Sequence, residues 1–446
     1  MNDVPDRDSN RHSTVTRAML AAGLAALVAC SARNDAPDDA RAVALSITPT
    51  GVPALTIARG ETSTSGLSSG GFMAVQFHVA FSSKMVGAAI FAGGPYRCAE
   101  GSIASAVTRC MSSTSTLDVA PFVAATKDAA ARGAIDPVSG LSHQRVFLFG
   151  GADDHTVDPS VMDGLDTYYR ALVTDGSVTY ERRHPGAAHT MPTVDYGGAC
   201  DVTASPYVGA CHYDGAGAAL AAIYGPLAPK ADTATGELVA IDQRRFVSDP
   251  AAHSLGDTAY AYVPKSCAAG ETCRVHVAFH GCKQTTDDIG DAFYRHAGYN
   301  EWADGNHVVV LYPQAIATRG SNPNGCWDWF GYDRADYATR TGPQMATVNA
   351  MVEALANGAI DPAGDDAGRA DASVVDAASG PTDAGATESA CFVDTTAGHV
   401  AEGRAHVAWG WAFANGSNQA LGTYGFFGAV GLARDAAGSW LIADCK

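Results

Sequence analysis

Hydrophobic positions alternate between two kinds of segment from residue 45 to about residue 360. Apolar runs that end in loop residues are typical of buried parallel strands, and they are "RVFLFGG" (145–151), "RVHVAFHG" (274–281) and "HVVVLYPQ" (307–314). Segments with helical spacing occur between and around them, at 71–81, 160–173, 289–303 and 344–356. The alternation predicts one α/β domain over residues 45–360, with helices on both faces of a central sheet.

The N-terminal pattern is that of an export signal. Within residues 1–30, Arg11 and Arg17 precede an apolar run that is too short to span a bilayer as a mature helix. The run ends in "LVAC", which resembles a bacterial lipobox and predicts lipidation of Cys30; ordinary secretory cleavage nearby is the alternative. Residues 31–44 are polar and form a predicted tether. We therefore expect an exported protein, either an outer-membrane lipoprotein held only by its lipid or a secreted one.

The pattern changes again after the α/β region. Residues 361–390 contain seven Asp or Glu, one Arg and few large apolar groups, which predicts a flexible linker. Residues 391–446 follow as a small domain that is β-rich and framed by Cys391 and Cys445. Its aromatic residues are predicted either to lie on an insoluble polymer or to fill a small core, and they are Trp409, Trp411, Tyr424 and Trp440.

The net charge and the cysteine content limit the classes of function that this chain can have. The net charge of −18 argues against a nucleic-acid partner. Eleven cysteines less Cys30 leave an even set, which predicts disulfides in an exported chain. Local spacing favours Cys98–Cys110, Cys200–Cys211 and Cys267–Cys273, which leaves Cys282–Cys326 and Cys391–Cys445, although spacing alone does not prove this connectivity. No pair has C-x-x-C spacing, so we expect no zinc or other metal site.

The stretch "GLSSG", residues 66–70, matches the nucleophile elbow G-x-S-x-G around Ser68. In such an elbow the chain turns sharply from a strand into a helix, and glycines avoid collisions at the flanking positions. The pattern is common by chance in a chain with 48 glycines. Here a strand-like segment precedes it and a helical one follows, so we predict that Ser68 is a nucleophile.

A nucleophilic serine needs a base and an orienting carboxylate. "ADDHTVD" follows the strand-like run 145–151 and offers Asp153, Asp154 and Asp158, of which Asp154 is preferred. The predicted base is His189 in "RRHPGAAHTMPT", with His184 as its rival. The chain order Ser, Asp, His is that of α/β-hydrolases.

One segment stands in an unexpected place. In an ordinary α/β-hydrolase, the strand that ends in His-Gly and supplies an oxyanion donor precedes the nucleophile, whereas here "VHVAFHGCKQT" (275–285) follows His189. The elbow also lies close to the mature N-terminus. Both facts predict a circularly permuted α/β-hydrolase sheet, in which the N–H groups of Ser69 and Cys282 form the oxyanion hole.

Several motifs together resemble one family. They run in the same order from about residue 60 to 345, and they are "SGLSSGGFMA", "FAGGPYRCA", "FGGADDHTV", "AAHTMPT", "CDVTASPYVGACHYDGAGA", "FHGCKQT", "LYPQA" and "NPNGCWDWFGYD". The chain thereby resembles extracellular poly(3-hydroxybutyrate) depolymerases of the circularly permuted α/β-hydrolase type, and related secreted esterases.

The resemblance implies a role for each site residue. Ser68 is the nucleophile, Asp154 the acid and His189 the base, with Ser69 and Cys282 as oxyanion donors. Asp154 is selected over Asp153 because the acid of the motif directly precedes x-T-V.

Two departures leave substrate preference open. Ala188 stands where the family often has Gly, and His155 adds a titratable ring after the acid. Aromatic residues of "NPNGCWDWFGYD" are predicted to line a substrate cleft, with core packing as the alternative; they are Trp327, Trp329 and Phe330.

The sequence thus predicts a monomeric serine esterase that hydrolyses poly(3-hydroxybutyrate) or its oligomers through an acyl-enzyme, without a cofactor. A feruloyl or acetylxylan esterase, or an aromatic polyester hydrolase, is the alternative with the same chemistry. A catalytically inactive, polymer-binding surface lipoprotein is the alternative of another class.

Overall fold

A computed structural model describes residues 52–112 and 117–357, together with the backbone of six short strands between residues 391 and 442. The predicted signal peptide with Cys30, the tether (31–44) and the linker (361–390) lie outside the described residues. No helix within the described ranges is long and apolar enough to cross a membrane.

The residues up to 357 form eleven strands and ten α-helices in the described ranges. The strands are β1 (Thr62–Leu67), β2 (Met85–Phe91), β3 (Arg145–Gly151), β4 (Ser177–His184), β5 (Met191–Thr193), β6 (Gly198–Ala199), β7 (Val208–Ala210), β8 (Glu237–Asp242), β9 (Thr258–Val263), β10 (Arg274–Phe279) and β11 (Val308–Tyr312). The helices are α1 (Ser69–Ala80), α2 (Ile103–Ser105), α3 (Ala120–Ala131), α4 (Pro159–Arg170), α5 (Gly215–Tyr224), α6 (Lys265–Ala268), α7 (Thr286–Ile289), α8 (Ala292–His296), α9 (Tyr299–Asn306) and α10 (Pro343–Asn357).

Eight strands form one sheet in the order β4-β3-β2-β1-β10-β11-β9-β8. Neighbouring strands run parallel except at β9, which is antiparallel to both β11 and β8. Every residue of β1 is buried, as is every residue of β11. Strands buried on both faces carry continuous apolar or small residues, which explains why these runs do not alternate with polar residues.

The sheet order confirms the predicted permutation. If the chain is read from β8 to β11 and then from β1 to β4, the strand order becomes 1-2-4-3-5-6-7-8 with the second strand antiparallel. That is the order of an α/β-hydrolase. The N–H of Leu55 donates to the carbonyl of Leu355 at 3.1 Å, so the end of α10 lies beside the segment that leads into β1.

The predicted elements agree with the structure except at one helix. The three strand-like runs become β3, β10 and β11, and three helical segments become α1, α4 and α10. The predicted helix 289–303 is instead divided among α7, α8 and α9. Gly290 and Gly298 interrupt it with φ values of 60° and 92°, which lie in the left-handed region that ends helices.

Four predicted disulfides are present in the structure. They are Cys98–Cys110, Cys200–Cys211, Cys267–Cys273 and Cys282–Cys326. The fifth predicted pair, Cys391–Cys445, stays a prediction because Cys445 lies outside the described residues.

The C-terminal segment contains β12 (Cys391–Thr395), β13 (Ala405–Ala408), β14 (Trp411–Ala414), β15 (Ala420–Thr423), β16 (Ala429–Arg434) and β17 (Trp440–Ile442). They form two antiparallel sheets of three strands, β12-β16-β17 and β13-β14-β15. Trp411 and Trp440 lie in strands, whereas Trp409 and Tyr424 lie outside the described residues. The boundaries of this domain stay a prediction.

Candidate active site

Ser68 lies at the bend between β1 and α1. Its backbone has φ 59° and ψ −124°, a strained conformation for a residue with a side chain. A Cβ at Gly66 would lie 2.2 Å from the carbonyl oxygen of Gly70, and a Cβ at Gly70 would lie 2.3 Å from the carbonyl oxygen of His280. Both positions therefore require glycine, as the elbow motif predicts.

Asp154 follows β3 and is hydrogen-bonded to His189. The Nδ1 of His189 donates to Asp154 Oδ2 at 2.8 Å, and the two residues are only 5% and 3% exposed. Asp154 Oδ1 accepts the N–H groups of Thr156 and Val157 at 2.8 and 2.9 Å. Because the carboxylate is an acceptor, it places the ring proton on Nδ1 and leaves Nε2 as the acceptor.

The loop that carries His189 is held by its neighbours. The N–H of His189 donates to Thr203 Oγ1 at 3.1 Å, and the N–H of Ala188 donates to the Cys200 carbonyl at 2.9 Å. Ser68 and His189 line the same cavity, which has a volume of about 400 Å³. The structure therefore brings all three predicted triad residues to one place, although they are far apart in sequence.

The rivals of Asp154 and His189 have other contacts. The side chain of Asp153 is exposed, and Asp158 caps α4 by accepting the N–H two residues further on at 2.8 Å. His184 ends β4, where its Nδ1 lies 3.2 Å from Glu181 Oε1. Among these candidates, Asp154 and His189 are the two that are hydrogen-bonded to each other, and their catalytic roles stay a prediction.

The predicted oxyanion donors belong to two segments that both lie close to Ser68. Ser69 is the first residue of α1, where N–H groups have no acceptor within the helix and the helix dipole favours negative charge. Gly281 follows the end of β10, and a Cβ there would lie 3.3 Å from the Cβ of Ser68. Cys282 comes next and lines the cavity. This arrangement agrees with the predicted donors, whose role stays a prediction.

His280 holds the end of β10 in place. Its Nε2 accepts the N–H of Ala315 at 3.1 Å, and its Nδ1 lies 2.7 Å from the Gly281 carbonyl, to which it donates. Burial lowers the pKa of His280 to about 4. A neutral ring with both nitrogens engaged has a structural role next to the predicted oxyanion hole.

The predicted cleft aromatics do not behave alike. Trp329 and Phe330 line the cavity, and Trp329 stacks on Phe72 with ring centroids 4.0 Å apart. Trp327 is 0% exposed and packs against Phe279 with centroids 5.0 Å apart. The prediction of a cleft-lining role is therefore wrong for Trp327, because its ring is enclosed in the core.

Another wall of the cavity was not predicted. It consists of Ile103, Val107 and Met111, which belong to α2 and to the π-helical turn Ala106–Met111. The Cys98–Cys110 disulfide closes this segment into a loop. The spacing of those two cysteines was the only sequence signal that marked the segment.

No group of three or more His, Cys, Asp or Glu in the described part of the chain is arranged to hold a metal ion.

Comparison with known proteins gives consistent relatives. No family model matches the chain. It is 45% identical over 312 residues to a poly(3-hydroxybutyrate) depolymerase of Delftia acidovorans, covering 69% of this chain and 62% of that protein. It is 38% identical over 332 residues to a polyhydroxybutyrate depolymerase of Talaromyces funiculosus, covering 71% of this chain and 95% of that protein. The chain thus matches less than two thirds of the length of the Delftia relative.

Solved structures agree with these relatives. The crystal structure of a PHB depolymerase from Penicillium funiculosum matches with a TM-score of 0.64 and 36% identity, covering 70% of this chain and all of that one. A serine-to-alanine variant of a PHB depolymerase in complex with an R3HB trimer matches equally well. The fold and the site geometry are consistent with these relatives, one of which is matched over 95% of its length. The chain therefore belongs to the polyhydroxybutyrate depolymerase family.

Proposed function

We propose that this protein is a serine esterase that hydrolyses the ester bonds of poly(3-hydroxybutyrate) or its oligomers. The observation that carries the proposal is the buried hydrogen bond between His189 and Asp154. The same His189 lines the cavity that Ser68 lines at the elbow. A Ser, a His and an Asp in these positions perform nucleophilic acyl transfer.

The reaction begins when Nε2 of His189 accepts the proton of Ser68. The serine oxygen attacks the ester carbonyl, and the N–H groups of Ser69 and Cys282 hold the resulting oxyanion. His189 then donates its proton to the departing alkoxide, which leaves an acyl-enzyme. Water, deprotonated by His189, attacks that ester, and the imidazolium returns the proton to the Ser68 oxygen as the hydroxyacid product leaves, while Asp154 stabilises the imidazolium in both steps. These steps require neither a metal nor an organic cofactor.

The substrate class is supported by the relatives and by the cavity. Both curated relatives are named as depolymerases of this polyester, and one solved neighbour is described in complex with an R3HB trimer. Ile103, Val107 and Met111 on one wall and Trp329 and Phe330 on another offer apolar surface to the short hydrocarbon units of such a chain. The feruloyl, acetylxylan and aromatic polyester alternatives have no comparable support, nor does a catalytically inactive binding protein.

The full chain is proposed to act outside the cytoplasm as a monomer. The predicted export signal and the four disulfides support this location. The C-terminal domain, joined by the acidic linker, is proposed to adsorb to insoluble polymer and so to raise the effective concentration of the catalytic domain there. Lipidation of Cys30 and the polymer-binding role of the aromatics stay predictions.

The test is a product assay on amorphous poly(3-hydroxybutyrate) with the wild type and Ser68→Ala. We expect release of soluble 3-hydroxybutyrate oligomers by the wild type and a loss of at least about 10³-fold in the variant. Labelling by a fluorophosphonate should likewise disappear in Ser68→Ala. Release of ferulate or acetate from plant polymers without release of hydroxybutyrate would refute the substrate assignment.

A further inference from the structure

Gln284 makes three side-chain hydrogen bonds beside the cavity although it is only 2% exposed. Its Oε1 accepts the N–H of Gly281 at 2.6 Å. Its Nε2 donates to the carbonyls of Pro206 and Tyr207 at 2.9 and 3.1 Å. Both amide hydrogens and the amide oxygen are therefore engaged with backbone groups.

These backbone groups belong to the two sides of the proposed catalytic machinery. Gly281 precedes Cys282, whose N–H is the proposed oxyanion donor. The Tyr207 carbonyl also accepts the N–H of Met191 at 2.9 Å, two residues after His189. Gln284 thus connects the oxyanion side of the site to the segment that follows the general base.

We propose that Gln284 is a positioning residue that sets the Gly281–Cys282 segment relative to His189, so that the oxyanion donor and the base act on the same carbonyl. The inference rests on the proposed esterase function. Oxyanion donors stabilise a transition state only when they are held close to the position that the oxyanion will occupy. A displacement of about 1 Å can cost about 10²-fold in rate.

Other contacts fix the far side of the same loop. Cys282 is joined to Cys326 by a disulfide, and the N–H of Lys283 donates to the Asn324 carbonyl at 2.7 Å. These bonds hold the loop to the 322–326 segment. They do not fix the position of the loop relative to His189. The hydrogen bonds from Gln284 to Pro206 and Tyr207 fix that position.

Gln243 offers a matched control in the same chain. Its Nε2 donates to the carbonyls of Gly256 and Gln314 at 2.6 and 2.9 Å, and its Oε1 accepts the N–H of Gln314 at 3.2 Å. It is fully buried and does not line the cavity. A purely structural role predicts the same consequences for Gln284 as for Gln243.

The experiment compares Gln284→Met with Gln243→Met in the full chain, using p-nitrophenyl butyrate as a soluble substrate. Met has a similar length but has no N–H to donate, and its sulfur is only a weak acceptor, so both variants should lose thermal stability. Only Gln284→Met should lower kcat, by about 10- to 100-fold, with KM changed less than about threefold. The inhibition constant of butylboronic acid, which forms a tetrahedral adduct with the serine, should rise in parallel with the loss of kcat.

The inference is overturned if both variants have kcat values within about threefold of the wild type, or if Gln284→Met raises KM alone. If Gln284→Met does not fold, Gln284→Glu is measured instead, since it keeps an acceptor for the Gly281 N–H and loses the donors. It should still lower kcat and weaken boronate binding, and unchanged values would overturn the inference. Ser68→Ala, assayed beside them, separates the two failures: retained activity there refutes the proposed function itself.

Discussion

At the residue scale, the two oxygens of Asp154 have different partners. Oδ1 accepts the N–H groups of Thr156 and Val157, and Oδ2 accepts Nδ1 of His189. The two backbone donors hold the carboxylate plane, so that the remaining oxygen faces the ring. This arrangement sets the tautomer of His189 and leaves its other nitrogen free to take a proton.

Asp154→Asn is expected to lower kcat by about 10³- to 10⁴-fold, because an amide in this place favours the wrong His189 tautomer. The measurement is kcat on p-nitrophenyl butyrate at neutral pH. Asp153→Asn is the matched control, since its side chain is exposed one residue earlier. A loss smaller than about tenfold in Asp154→Asn would argue that another carboxylate orients the ring.

At the element scale, the elbow is the junction of β1, α1 and β10. Gly70 is the second residue of α1, and it packs against the backbone carbonyls of Phe279 and His280. Because His280 directly precedes Gly281, the same contact brings the N-terminus of α1 close to the proposed oxyanion loop. Close approach of a helix and a strand end is what places both proposed donors around Ser68.

Gly70→Ala should destabilise the protein by about 1–3 kcal/mol, because the added Cβ would lie 2.3 Å from two carbonyl oxygens. Helix propensity alone would make Gly70→Ala stabilising by about 1 kcal/mol. A measured loss of stability would therefore show that the collision of the added Cβ outweighs helix propensity. Urea unfolding measures it, and kcat should fall as well. Gly198→Ala is the control, since nothing lies within 4 Å of its added Cβ; equal stability changes in the two variants would contradict the close contact.

At the scale of the whole molecule, the core contains ionisable groups that are kept uncharged. Burial lowers the pKa of His78 to about 4, of His276 to about 3 and of His280 to about 4. His276 lies on β10, where its two nitrogens are each 2.7 Å from a serine oxygen of β1. Burial also raises the pKa of Asp328 to about 7, although three backbone N–H groups oppose the shift.

Stability should fall as pH is lowered from 6.5 toward 4, because the unfolded chain binds protons at its histidines while the three buried rings do not. Asp328 acts with the opposite sign, since its folded form takes up a proton near pH 7. The unfolded chain therefore binds at most about two more protons than the folded protein. The free energy of unfolding should then change by about 2–3 kcal/mol per pH unit at most. The free energy of unfolding, measured in urea at pH 6.5 and 5, tests this. His78→Gln should reduce the slope, because it removes one of the buried rings whose pKa is lowered by burial; a flat profile in the unsubstituted protein would contradict the burial of neutral histidines.

Much of the fold and of the candidate site could be predicted from the sequence because their signals are local. The apolar runs that became β3, β10 and β11, the glycines around Ser68 and the short cysteine spacings each lie within one stretch of chain. The motif order added the pairing of Ser68, Asp154 and His189, since a family motif carries the spatial relation that periodicity lacks.

The tertiary structure alone decided which side chains share a cavity. Trp327 and Trp329 are two residues apart and have similar neighbours in the sequence. Trp327 is nevertheless enclosed in the core, whereas Trp329 lines the cavity. Gln284 finds its partners 77 and 78 residues away in the chain. Whether a side chain is buried, and which groups it bonds to, depends on which distant segments of the chain pack together. The local hydrophobic pattern does not specify those contacts.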